Sequence, residues 1–199
     1  TLVAPDSGFG SEIRMGDFDG NNGDDLLVGS STGDGAVYGF TGGSRTRFMA
    51  TETPGTKVSL ALGTAAGGEN QPNFSLQRST RGSSFPSWIE LADIDGDGTL
   101  DVLASDKEAD HDANGTCDDC GEIYVYKGGT SLTGAMIAPT DADAAETATP
   151  LMHILRGTST HYNYGQFFYR VPAPRPGDNA DWLVVNTGDY VSLVMKASD

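Results

Sequence analysis

The segment Asp93-Ile94-Asp95-Gly96-Asp97-Gly98-Thr99-Leu100-Asp101 places carboxylates at loop positions one, three, five and nine. Calcium is a hard cation that takes roughly six to eight oxygen ligands. A tight loop with oxygen-bearing side chains at alternate positions aims several of them at one centre. Gly96 and Gly98 let the backbone turn sharply between them, and the Thr99 carbonyl supplies the ligand at position seven. Four carboxylates this close would repel one another without a cation. An EF-hand needs a Glu at position twelve and helices on both sides. Here position twelve is Ala104 and the flanks read as strands. Magnesium takes fewer protein ligands and more water. Ca2+ is therefore the expected cofactor.

Asp17-Phe18-Asp19-Gly20-Asn21-Asn22-Gly23-Asp24-Asp25 repeats the scheme. Asp17, Asp19, Asn21 and Asp25 take positions one, three, five and nine, and the Gly23 carbonyl takes position seven. A third candidate lies in an insertion at about 106–120. There Asp110, Asp112, Asn114 and Asp118 fit the same places, with the Thr116 carbonyl at seven. It reads equally as a calcium loop or as an acidic hairpin tip. Cys117 and Cys120 bracket Asp118 and Asp119, and a disulfide between them would pin the loop. Redox catalysis fits poorly, because neighbouring carboxylates raise a thiol pKa. Zinc would need two further ligands, and only His111 is near. The segment Ala173–Asp181 lacks the early carboxylates and carries Arg175, so no calcium is expected there.

These loops recur within a longer pattern. Three segments, about 8–48, 82–130 and 152–196, share an order of features. Each has an aromatic start, then an Asp leading an apolar run (Asp25, Asp101, Asp181), then a Gly leading a second run. Asp25-Leu26-Leu27-Val28-Gly29 suits a buried strand. Ile123-Tyr124-Val125-Tyr126 is rich in β-branched and aromatic residues. Gly-rich turns favour hairpins. No long amphipathic helix stands out, and Asp141–Thr149, between Pro139 and Pro150, reads as a loop. Many short strands in repeated units predict an all-β fold of propeller blades; the alternative is a β-sandwich with similar hairpins.

The chain has 199 residues, enough for one sizeable domain. Its formal net charge is −16 and its pI near 4.3. That balance argues against nucleic acid, whose phosphates need Lys and Arg, and against anionic membrane surfaces. No apolar run approaches the roughly 20 residues that span a bilayer. The chain opens at Thr1 without a Met, which leads to the expectation of a processed chain or a fragment.

The repeats resemble the FG-GAP repeat, the blade unit of the integrin α-subunit propeller. Phe9-Gly10 matches its opening, Val28-Gly29-Ser30 stands where Gly-Ala-Pro would be, and Asp17–Asp25 and Asp93–Asp101 match its calcium loop. In the second unit Pro86 replaces Gly, and Ala104-Ser105-Asp106 replaces Gly-Ala-Pro. The resemblance implies calcium loops between neighbouring strands of one blade. It also implies an extracellular or cell-surface propeller used in adhesion or ligand recognition. Three units are too few for the usual seven-bladed ring, so the expectation is an incomplete or degenerate propeller forming a single domain over residues 1–199. Self-association, or other chain segments, would then complete it.

No nucleophile–base pair stands out. His111, His153 and His161 sit in no catalytic signature, and Glu12, Glu90 and Glu122 have no partner identifiable in sequence. The stretch His161–Arg170 could stack on a sugar ring, although strand packing explains it better; Trp88 and Trp182 read as core. The functional expectation is a non-catalytic, extracellular calcium-binding module that recognises a protein or glycan ligand. The alternatives are a structural subunit of an extracellular assembly and the propeller portion of a polysaccharide-degrading enzyme.

Overall fold

A computed structural model describes residues 2–3, 8–33, 35–42, 58–59, 71–78, 82–110, 119–137, 150–158, 162–173, 177–186 and 193–196. Its strands are β1 (Leu2–Val3), β2 (Phe9–Gly16), β3 (Asp25–Ser30), β4 (Ala36–Phe40), β5 (Val58–Ser59), β6 (Phe74–Gln77) and β7 (Ile89–Ala92). They continue with β8 (Asp101–Asp106), β9 (Glu122–Tyr126), β10 (Gly134–Ile137), β11 (Leu151–Arg156), β12 (Phe167–Val171), β13 (Trp182–Asn186) and β14 (Leu193–Lys196). No helix occurs among the described residues, so the fold is all-β. The segment Asp141–Thr149 lies outside them.

The strands form three main sheets. The first runs β10-β6-β4-β3-β2, antiparallel except that β10 joins β6 in parallel. The second runs β11-β9-β8-β7 and is antiparallel throughout. The third is the antiparallel set β12-β13-β14. A short parallel pair joins β1 to β5. The fourth antiparallel strand of the first sheet, β6, comes from beyond the segment assigned to the first repeat. Likewise β11, expected to open the third repeat, pairs with β9 in the second sheet.

Every residue of β8 and β9 is buried. The reason is the period-two alternation of a strand covered on both faces. Val102, Ala104, Tyr124 and Tyr126 pack with Leu27, Val37, Phe74 and Leu76 of the first sheet. Leu103, Ile123 and Val125 turn the other way, onto Phe168, Leu183 and Val185 of the third. The second sheet is thus sandwiched between its neighbours. The strand β7 touches both β2 and β12, so the opening strands of the three sheets run beside one another.

Ser105 and Glu122 are paired inside this stack, as burial demands, whereas the buried Tyr126 hydroxyl has no hydrogen-bond partner among the described residues. Ser105 Oγ donates to the Gly165 carbonyl at 2.7 Å. Glu122, fully buried, accepts from Tyr124 Oη at 2.6 Å and from Arg156 Nε at 3.0 Å. That supplies the partner the sequence did not reveal.

Candidate metal centre

The two acidic loops occupy matching places, between β2 and β3 and between β7 and β8. Both take the same backbone path. Gly20 and Gly96 at position four have φ of 79° and 77°, and Asn22 and Gly98 at position six have φ of 67° and 90°. These left-handed values suit Gly, and among other residues Asn tolerates them best. The first-position carboxylate then gathers loop amides. Asp17 accepts from Gly20 N at 2.8 Å and Asn22 N at 2.8 Å. Asp93 accepts from Gly96 N at 2.7 Å and Gly98 N at 2.9 Å.

Position nine, the first residue of β3 or β8, lies at the bottom of each loop. Asp25 and Asp101 are 1% and 0% exposed. Asp25 accepts from Phe18 N at 2.9 Å, Asp19 N at 3.0 Å and Gly42 N at 2.6 Å. Asp101 accepts from Ile94 N at 2.9 Å and Gly128 N at 2.9 Å. Burial raises both carboxyls to about 6, with these amide hydrogen bonds working in the opposite direction.

The folding of each loop brings three carboxylates together. Asp17, Asp19 and Asp25 each offer an oxygen within 4.8 Å of the others, and so do Asp93, Asp95 and Asp101. The all-oxygen donor set fits a hard cation such as calcium and suits zinc poorly. A bound cation there would neutralise the converging charge and hold the loop closed.

Position five behaves differently. Asn21 donates from Nδ2 to Asp19 Oδ2 at 2.8 Å, and its own Oδ1 accepts from Gly23 N at 2.9 Å. Asp97 is not among the clustered carboxylates. It pairs with Lys127 Nζ at 2.7 Å, and the same ammonium also touches Asp95. Hydrogen bonding to Lys127 holds the Asp97 carboxyl below its ordinary range. The backbone amide of Thr99 donates to Asp97 Oδ1 at 2.8 Å.

The loops also fasten neighbouring sheets. Leu100 N donates to the Asp17 carbonyl at 3.3 Å and Gly129 N to the Phe18 carbonyl at 2.7 Å. Asp93 N donates to Asp181 Oδ2 at 2.8 Å, and Asp181 N returns a bond to the Asp93 carbonyl at 2.7 Å. Asp181, which opens the region before β13 and is 3% exposed, also accepts from Ala173 N at 3.0 Å. Its counter-charge is Arg170, whose Nε lies 2.6 Å from Asp181 Oδ2. At the third loop an arginine from the preceding strand β12 thus pairs with the position-nine carboxylate. Arg175, the basic residue noted there in sequence, lies outside the described residues.

Of the insertion, residues 106–110 and 119–120 are described; Asp112, Asn114, Thr116, Cys117 and Asp118 lie outside. Asp110 Oδ1 accepts from Asp119 N at 2.8 Å. Cys120 is buried and disulfide-bonded.

A second cluster, not read from sequence, lies along the opening strands. Arg14 reaches Glu12 at 3.2 Å and Glu90 at 3.4 Å, and its guanidinium carbon stands 4.8 Å from the Trp88 ring centroid. Phe167 and Tyr169 meet Trp88 edge-on at 5.2 and 5.4 Å. Trp88 and Trp182, expected in the core, are only half-buried. The alternation of Glu12 and Arg14 on one face of β2 was the available signal; the link to Glu90 and Trp88 depends on the next sheet.

No family model and no curated protein matches this chain.

Proposed function

We propose that this chain is a calcium-stabilised part of an extracellular β-propeller of the FG-GAP type, serving recognition or adhesion without catalysis. The observation that carries this reading is the repeated carboxylate triad, Asp17/Asp19/Asp25 and Asp93/Asp95/Asp101, set where consecutive sheets are strapped together. A cation in either loop would lock a strand connection and the neighbouring seam at once. Face-to-face sheets with adjacent opening strands are the arrangement expected of neighbouring blades. Calcium modules of the extracellular kind bind at roughly 10⁻⁴–10⁻³ M, a range met outside the cell. The disulfide at Cys120 suits the same oxidising setting.

The exposed rings of Phe167 and Tyr169 beside Trp88 support a partner-binding role for the opening strands. The partner is a protein or glycan ligand. Glycan arrays and immobilised extracellular proteins, probed in calcium and in chelator, test the reading. Saturable binding that chelator abolishes is expected, and it weakens when Tyr169 is replaced by Ala. Turnover of a polysaccharide, or binding indifferent to both calcium and Tyr169, would overturn it.

A further inference from the structure

The two loops differ in one charge at position five, Asn21 in the first and Asp97 in the second. Counting ligand-position carboxylates, the second loop carries one more negative charge. Affinity for calcium rises with such charge, so the second loop should bind more tightly. The structure places a compensating group there. Lys127 Nζ pairs with both Asp95 and Asp97. It does so from a fixed stem: Lys127 N donates to the Pro150 carbonyl at 2.6 Å, and the next amide, Gly128 N, holds Asp101.

The equivalent place beside the first loop is Thr41. Its neighbour Gly42 bonds Asp25 as Gly128 bonds Asp101, and Thr41 N is held by Asn73 Oδ1 at 2.9 Å. No Lys or Arg among the described residues reaches Asp17, Asp19 or Asp25. Counting the ligand-position carboxylates and the cations among the described residues, the two loops present the same net charge to an incoming ion by different means. At the third loop, Arg170 of β12 pairs with Asp181.

Granted the calcium reading of both loops, on which this rests, we propose that Lys127 is a resident cation that calcium must displace from Asp95 and Asp97. It sets the affinity of the second loop. Asp95 is a ligand in that reading, so its carboxylate cannot serve the ammonium and the ion equally. An ammonium a few ångströms from a divalent ion also repels it.

Calcium titration by calorimetry tests this in an Asp19→Ala background, which silences the first loop. Lys127→Thr, which borrows the first loop's own residue, should tighten calcium binding about tenfold, and Lys127→Gln should do the same. The reciprocal Thr41→Lys, in an Asp95→Ala background, should weaken the first loop by a similar factor. Lys127 is exposed enough that its variants should melt cooperatively in chelator, which checks folding. Calcium binding with unchanged or weaker affinity in both Lys127 variants would overturn the role of Lys127 and leave the calcium reading standing. No calcium binding in the parent protein at millimolar concentration would overturn both.

Discussion

Replacing Asp101 by Asn separates the ligand role of this carboxylate from its structural role. Asp101 is fully buried and accepts from Ile94 N and Gly128 N. An amide offers one oxygen, so one of these donors is left facing an NH2 group, at a cost of about 1–3 kcal/mol. Against this, burial raises the Asp101 carboxyl from 3.8 to about 6. At neutral pH that represents about 3 kcal/mol of unfavourable ionisation, and the neutral amide removes it. The two effects oppose each other and nearly cancel. In chelator the variant should therefore melt within a few degrees of the parent. In calcium it should fall behind. At about 10 mM calcium and a Kd near 10⁻⁴–10⁻³ M, one site contributes about 1.5–2.5 kcal/mol. For a chain of this size that is about 3–10 °C in Tm. Differential scanning calorimetry in calcium and in chelator gives both numbers. An equal calcium increment in parent and variant would refute the ligand role. A large loss in chelator alone would refute the balance drawn between burial and hydrogen bonding.

Other consequences are simpler. Arg170→Gln strips the counter-charge from Asp181 and leaves a nearly buried carboxylate, at a cost of about 1–3 kcal/mol since Arg170 itself is partly exposed. Chemical denaturation should show the same loss in calcium and in chelator; recovery by calcium would mean the third loop has become a metal site. In chelator, stability should also fall as pH rises from about 4.5 to about 6. Asp25 and Asp101, raised from 3.8 to about 6, keep protons in the folded state that the unfolded chain has already lost. Glu108, held at about 2 chiefly by Lys107, acts in the opposite sense but only below its ordinary 4.5. A Tm that is flat or rising over that window would contradict this.

The loops were legible because their chemistry is local. Alternating Asp and Gly over nine residues fixes both the turn and the convergence of positions one, three and nine. The strands β3, β8, β9 and β13 were legible for the same reason, as short apolar runs bounded by Asp and Gly. What escaped depends on contacts between distant segments. The fourth strand of the first sheet, β6, follows a long stretch with no repeat signature. β11 belongs with β9 only because Ile154 and Leu155 find Tyr124 and Ile123 across the ladder. The behaviour of Asp97 could not be read from its own loop, since the ammonium that claims it comes from beyond β9. Arg170 was missed because it precedes its loop, one strand away from the Asp181 it neutralises.

The most direct test is equilibrium dialysis of the chain against millimolar calcium, with bound metal counted in the parent, in Asp19→Ala and in Asp95→Ala. Both loops are expected to fill, so each substitution should remove about one bound ion and lower the calcium-dependent Tm. A parent that binds no calcium, or variants that bind as much as the parent, would contradict the account.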